Sequence, residues 1–99
     1  MNLQSMMAQA QKMQRDITNK KAKIDATDFE GKSEWVEVVF KGDKKLKSFK
    51  IIKEGSIDED DKEILEDMIN IAITDAFSKI DKEVEKELGA YSQGMGGLF

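Results

Sequence analysis

Two long helical patterns, one near each end of the chain, limit what this sequence can fold into, because each carries only a narrow apolar stripe. In residues 2–24 apolar side chains recur at alternating spacings of three and four, as in the seam of a coiled coil. A small sheet cannot cover so long and narrow a seam alone, so the seam requires a second helix beside it, from the same chain or from a partner. The seam residues are Leu3, Met6, Ala10, Met13, Ile17 and Ile24.

The second helical pattern runs from about Asp58 to Leu88. Its first half is broadly apolar, which suits packing against both a sheet and a neighbouring helix, and its second half narrows to a heptad-like stripe. We therefore expect this helix to leave the body of the domain and to pair along one side only. Gly89 is expected to end it, so that residues 1–88 form a single domain and the glycine-rich residues 89–99 form a flexible tail. The narrow stripe consists of Ile73, Phe77, Ile80, Val84 and Leu88.

Three short strands are predicted between the helices, and the second is the strongest because it is rich in β-branched and aromatic residues. The turn at residues 41–44 suits a hairpin in which Gly42 takes a positive φ. A change of apolar spacing between Leu46 and Phe49 indicates a β-bulge. A three-stranded antiparallel meander is the simplest solution, which makes the chain an α+β protein of α-β-β-β-α order with long projecting helices. The predicted strands cover residues 26–31, 34–40 and 46–51.

The composition argues against most catalytic and metal chemistry. The 99 residues contain no His and no Cys, which removes the usual zinc ligands and the Ser–His and Cys–His nucleophile pairs. The acidic run at residues 58–61 lacks the glycine and the distal glutamate of a calcium loop. We interpret it as the charged start of the last helix, with Ser56 or Asp58 as the cap. We expect no metal, no cofactor, no small-molecule substrate and no enzymatic activity.

The sequence shows no sign of export or of membrane insertion. The first residues lack the features of a signal peptide, and the longest apolar stretch, around Ile69 to Ile73, is too short to cross a bilayer. We therefore expect a cytoplasmic protein that does not contact a membrane. Since a chain this short buries only roughly 60–65% of its unfolded surface, a homodimer is a reasonable way to gain the missing burial.

Charge is distributed unevenly along the chain. The formal net charge is −4, yet residues 1–53 are net positive and residues 54–99 are strongly negative, a pattern that favours contact with a polyanion. A solvated protein surface would account for the same numbers. One side of the first helix, facing away from the seam, is basic and carries an amide; its residues are Lys12, Arg15, Asn19 and Lys23, with Lys20 at the margin of the seam.

Four segments of the sequence also carry a family resemblance. They are residues 7–14 in the first helix, Phe29-Glu30-Gly31 in the first strand, residues 62–69 with Ala72 and Ala76 in the last helix, and the Gly/Met-rich ending in Leu98-Phe99. Together they resemble the YbaB/EbfC family of nucleoid-associated proteins, in order and over essentially the whole chain. The resemblance implies a tweezer-like homodimer of α-β-β-β-α subunits that binds double-stranded DNA in the bacterial cytoplasm, associated with the nucleoid.

The chain departs from the pattern of this family in three places. The family has a Gly-rich stretch after the serine that corresponds to Ser33, where this chain has Glu34-Trp35. The family's Asn-Gly hairpin is Lys41-Gly42 here, and the proline that often follows the third strand is absent. None of these differences alters the expected fold.

DNA binding by such a chain would depend on Lys and Arg side chains that neutralise phosphates, so it should be weakly specific for sequence and steeply dependent on salt. We expect the phosphate contacts to come from Lys12, Arg15, Lys20 and Lys23, presented twice by a homodimer. Effects on DNA conformation, nucleoid organisation and gene expression belong to the same hypothesis. The alternative is a dimeric protein–protein adaptor that uses its tips or its Met-rich first helix and does not bind DNA.

A second group of lysines on the last helix leaves two interpretations open. Lys79, Lys82 and Lys86 lie on one ridge that points away from the apolar stripe. They could contact phosphates, or they could form local ion pairs with the acids three or four residues away on the same helix.

Overall fold

The fold consists of a helix, three strands and a second helix, in that order along the chain. It was obtained as a computed structural model that describes residues 2–95. The three strands form one antiparallel sheet in the order β1-β2-β3, so the expected α+β class and the α-β-β-β-α order are confirmed. The elements are α1 (Leu3–Ala26), β1 (Asp28–Lys32), β2 (Val36–Lys41), β3 (Leu46–Ile51), a 3-10 turn (Glu59–Asp61) and α2 (Lys62–Met95).

The main core lies between the sheet and α2. Every second residue of β2 points to this side and is buried, and the helix contributes small side chains that allow close packing. A Cβ added to Gly31 of β1 would lie 2.0 Å from the carbonyl oxygen of Ala72 and 2.8 Å from Cβ of Ala76. The helix backbone therefore rests directly on β1 at a point where only glycine fits. The buried residues of this core are Val36, Val38, Phe40, Ala72, Ala76 and Ile80.

A second core joins the two helices beyond the sheet. Ile17 and Ile24 of α1 are buried against Leu88 of α2, and Val84 and Tyr91 pack around them. Part of the α1 seam is therefore covered by the last helix of the same chain, one of the two alternatives that the sequence left open. Burial of each large aliphatic side chain here contributes about 1.5–3 kcal/mol, so the contact fixes how α1 lies along α2.

The expectation that Gly89 ends the last helix is wrong, because α2 continues through it to Met95. Leu88 is 2% exposed and Tyr91 packs on the same cluster, so α2 is held against α1 on both sides of Gly89. That packing outweighs the roughly 1 kcal/mol by which glycine disfavours a helix. Residues 96–99 of the expected tail lie outside the described residues, and the domain boundary at residue 88 stays a prediction.

In the turn between β2 and β3, the positive φ falls on a different residue from the one expected. Lys44 has a φ of 67°, and Gly42 does not adopt a positive φ. Glycine is required at position 42 for another reason: an added Cβ would lie 1.9 Å from the carbonyl oxygen of Ile24, at the end of α1. The predicted bulge is confirmed, since Val39 pairs with Ser48 and Phe40 pairs with Leu46, which leaves one extra residue in β3.

The acidic run at residues 58–61 forms the start of the last helical segment. The N-cap of the 3-10 turn is Asp58, one of the two residues expected to cap this segment. The backbone N–H of Asp58 donates to the Asp61 carboxylate at 3.0 Å. Acids at this position also interact favourably with the positive end of the helix dipole.

Candidate nucleic-acid interface

The part of α1 that precedes Ile17 carries two exposed cations of the predicted DNA-binding set. Lys12 and Arg15 are exposed and lie before Ile17, the first buried residue of the helix. Their spacing of three places them side by side on one face of the helix. Neither takes part in an ion pair among residues 2–95. Both charges are therefore available to an anion that approaches the projecting part of the helix.

The C-terminal half of the same helix face, which carries Lys20 and Lys23, lies beside acids of α2. Lys20 Nζ is 3.9 Å from Glu87 Oε2, and it lies 5.3 Å from the centre of the Tyr91 ring. Lys23 is exposed and lines a groove of about 460 Å³ together with Lys20, Glu83 and Glu87. The four predicted contact residues thus fall into an open pair, Lys12 and Arg15, and a pair next to carboxylates, Lys20 and Lys23. Their role in contacting DNA stays a prediction.

Lys79, in the second lysine group, attaches α2 to the edge of the sheet. Its Nζ donates to the carbonyl oxygen of Glu30 at 2.8 Å and forms an ion pair with Asp75 at 3.5 Å. The Asp75 carboxylate also accepts from the backbone N–H of Lys32 at 3.1 Å. For Lys79 the ion-pair interpretation is therefore confirmed.

The other two lysines of that group remain exposed on α2. Lys82 and Lys86 line an open groove of about 630 Å³ along the helix, together with Asp81 and Glu85. Because acids share the groove with them, its local charge is mixed. Their function stays open.

Three lysines in and around the sheet contact neighbouring acidic or aromatic side chains. Lys44 Nζ lies 3.3 Å from Asp81 and 5.1 Å from the centre of the Phe77 ring. Lys47 forms an ion pair and hydrogen bond with Asp28, and Lys53 lies over the Trp35 ring. Part of the positive charge in this segment is therefore engaged in contacts within the chain.

An apolar surface on β3, not evident from the sequence, is uncovered in the structure. Leu46, Phe49 and Ile51 pair with Phe40, Val38 and Val36, so they point to the side of the sheet that faces α2. In the described residues α2 contacts β1 and β2 but not β3, which leaves these side chains 56%, 41% and 49% exposed. We call Leu46, Phe49 and Ile51 the β3 face. The spacing of apolar residues indicates which side chains lie on the same face of the sheet. It does not show how far α2 reaches across that face.

A second apolar surface lies on the projecting part of α1. The seam residues before Ile17 have no cover within the described chain, and Leu3 is 70% exposed. Met6, Met7 and Met13 are also about half exposed.

Within residues 2–95, neither helix is apolar enough to span a membrane, and no group of three or more acidic side chains is arranged to hold a metal ion.

Comparison with known proteins identifies relatives over nearly the whole chain. The model of the YbaB/EbfC DNA-binding family matches residues 1–95. A nucleoid-associated protein of Ligilactobacillus salivarius is 43% identical, over 99% of this chain and 95% of that protein. One from Streptococcus equi subsp. zooepidemicus is 46% identical, over 93% and 94%. One from Lactococcus lactis subsp. cremoris is 44% identical, over 96% and 97%.

Proposed function

This chain belongs to the YbaB/EbfC DNA-binding family, and on that premise we propose that it binds duplex DNA as a homodimer, with low sequence specificity. The observation that carries the proposal is the exposed pair Lys12 and Arg15 on the projecting half of α1, neither of which is neutralised by an ion pair within residues 2–95. The family is a DNA-binding family rather than an enzyme family. The names of the relatives support a location in the bacterial nucleoid.

The physical basis of binding is neutralisation of phosphates along the DNA backbone. Lysine and arginine side chains release the counterions condensed on DNA, which makes the affinity fall linearly with salt on a double-logarithmic scale. Such contacts position a protein on the duplex but do not read bases. The proposed contacts are made by Lys12, Arg15, Lys20 and Lys23, and a homodimer would present this set twice. Bending or bridging of the bound duplex, with effects on nucleoid organisation and gene expression, is part of the same proposal.

The β3 face supports the homodimer. Small sheets need cover on one side, and this face is apolar and uncovered within the subunit. We place a second copy of the chain there, because its α2 exposes Ile64 and Ile71 among acids such as Glu63 and Asp67. The β3 face is instead flanked by lysines, since Lys45 lies just before β3 and Lys50 lies within it. The apolar residues and the opposite charges of the two surfaces are complementary. A twofold axis would make this contact twice, as in most homodimers.

The DNA proposal is tested by fluorescence anisotropy with a duplex of random sequence, measured across a salt series. Wild type should bind, and the double variant Lys12→Glu/Arg15→Glu should lose most of its affinity at about 0.1 M salt, where the screening length is about 10 Å. The matched control is Lys32→Glu/Lys62→Glu, which makes the same charge change at exposed positions of the body and should bind nearly as wild type does. In Lys12→Gln/Arg15→Gln the salt slope should fall by about 0.9 for each lost phosphate contact. An absence of binding at low salt would refute the proposal.

The dimer is tested separately by light scattering after gel filtration. Phe49→Asp places a charge on the β3 face and should yield a monomer. Ser48→Asp makes a similar change at the adjacent position, which points to the other side of the sheet, and it should remain dimeric. Equal behaviour of the two variants would place the dimer contact elsewhere.

A protein–protein adaptor is the second candidate, and the exposed seam of α1 is the observation that favours it. Leu3, Met6, Met7 and Met13 form an adaptable apolar surface. Apolar binding depends little on salt, whereas phosphate binding depends on it steeply. A salt series with the wild-type protein therefore distinguishes the two functions.

A further inference from the structure

The basic face of α1 is flanked by acids of α2 over only part of its length. Glu83 and Glu87 are four residues apart, so they lie on one ridge of α2. Together with Lys20 and Lys23 they line the groove between the two helices. Lys20 Nζ is 3.9 Å from Glu87 Oε2. Lys12 and Arg15, which lie nearer the N-terminus of α1, have no such partner among residues 2–95.

The packing of the helices holds these acids close to the basic face. Ile24 and Leu88 are 4% and 2% exposed and belong to the second core, and Ile24 also lines the groove in which the charged side chains lie. Tyr91 adds a second contact to Lys20, since its ring centre is 5.3 Å from Nζ. The backbones on the two sides of the groove therefore cannot separate without breaking the second core. Only the side chains of Glu83 and Glu87 are able to move away.

We propose that Glu87, assisted by Glu83, competes with DNA for Lys20 and Lys23 and thereby limits the affinity of the protein for DNA. The inference rests on the proposed DNA binding. A phosphate that approaches Lys20 must displace the Glu87 carboxylate and then remain close to it. A phosphate bound to Lys20 would lie much closer to the Glu87 carboxylate than the screening length of about 10 Å at 0.1 M salt, so the repulsion between these two anions is only partly screened. Lys12 and Arg15 thus act as open anchors, and Lys20 and Lys23 contribute less than their charges alone would give.

The test compares Glu87→Gln with wild type by anisotropy at about 0.1 M salt, where the screening length is about 10 Å. The substitution keeps the size and shape of the side chain and removes its charge. The Lys20–Glu87 pair is partly exposed, with side chains 40% and 34% accessible, so we expect affinity to rise by roughly two- to fivefold, the range that corresponds to an exposed ion pair. Glu83→Gln/Glu87→Gln should bind more tightly still.

The matched control is Glu54→Gln, which makes the same change of net charge elsewhere. Glu54 is exposed and follows β3, at the opposite end of that strand from the hairpin that touches Ile24. The six-residue strand between them spans about 20 Å, which exceeds the screening length at 0.1 M salt. The affinity of Glu54→Gln should equal that of wild type. Melting temperatures of all variants verify that the fold is intact.

A double-mutant cycle shows whether the gain arises through Lys20. In a Lys20→Met background, the additional Glu87→Gln substitution should raise affinity less than it does in wild type. An equal gain in both backgrounds, or no difference between Glu87→Gln and Glu54→Gln, would overturn the inference while leaving DNA binding intact. If neither wild type nor Glu87→Gln binds duplex DNA at low salt, the inference and the proposed function are both wrong.

Discussion

The close contact between Gly31 and α2 predicts a large loss of stability when a single methyl group is added. An alanine Cβ at this position would lie 2.0 Å from the carbonyl oxygen of Ala72 and 2.7 Å from the backbone nitrogen of Ala76. Both atoms belong to the helix backbone, so no side chain can rotate away. The helix would have to move from β1 by more than 1 Å, on the order of the gap to a normal contact. Such a movement would loosen the whole contact between α2 and the sheet.

We expect Gly31→Ala to lower the free energy of unfolding by about 3 kcal/mol or more, at the upper end of what overpacking a core costs. For a domain of this size that loss corresponds to a fall in melting temperature on the order of 15 °C. Urea denaturation at one fixed protein concentration measures it, because a dimer would make stability depend on concentration.

Gly55→Ala is the matched control for Gly31→Ala. Gly55 has a φ of 81° and no atom within 4 Å of its added Cβ, so it isolates the conformational penalty, about 1–2 kcal/mol for a left-handed residue. Gly31 does not have a positive φ, so its penalty is steric alone. A loss below about 0.5 kcal/mol for Gly31→Ala, or a smaller loss than for Gly55→Ala, would refute the reasoning.

Three further predictions follow from the same structure. Leu88→Ala should cost about 2–5 kcal/mol, because Leu88 is 2% exposed between the helices, and hydrogen exchange should show that α1 loses protection while the sheet keeps it. Lys44→Gly should change the free energy of unfolding by less than about 0.5 kcal/mol in a thermal melt, since relief of the φ of 67° offsets the loss of both the exposed pair with Asp81 and the contact with the Phe77 ring; Lys45→Gly, the control, has no positive φ to relieve and should lower it. The melting temperature of wild type should rise with protein concentration if the β3 face holds a second copy, and it should be constant in Phe49→Asp.

The order of elements could be predicted from the sequence because it depends on local patterns. The heptad spacing of α1 and the alternation in β2 are each visible within one segment, and even the bulge in β3 follows from a change of spacing before Phe49. The two wrong details depend on distant contacts instead. Gly42 is needed because the end of α1 touches the hairpin, and α2 continues past Gly89 because Leu88 and Tyr91 pack on α1.

The candidate site shows the same division between local and distant information. Helical spacing alone puts Lys12 and Arg15 on one face of α1. The pairing of Lys20 with Glu87 could not be foreseen, because the two residues are far apart in sequence and meet only through the packing of Ile24 and Leu88. An ion pair of Lys79 with an acid on the same helix was one of the two interpretations that the sequence left open, and Asp75 provides it; the bond to the Glu30 carbonyl was not foreseen.

A net charge of −4 is compatible with DNA binding because the acidic run at residues 58–61 lies at the start of α2, far from Leu88, where α2 packs on α1. Lys62, next to the acidic run at residues 58–61, precedes Leu88 by a stretch of helix about 39 Å long. At physiological ionic strength the screening length is about 8 Å, so the acidic start of α2 has little effect on a phosphate near α1.

At about 0.01 M salt the screening length rises to about 30 Å, and the same acids then begin to repel the duplex. We therefore expect the double-logarithmic plot of affinity against salt to be linear near physiological salt and to flatten toward about 0.01 M, where phosphate neutralisation alone would give a straight line. Glu59→Gln/Asp60→Asn removes two exposed charges from the acidic run and should move the flattening to lower salt. A wild-type plot that stays straight throughout this range would show that the acidic end of the molecule does not act on bound DNA at all, and the compatibility of the net charge with binding would then need another explanation than distance.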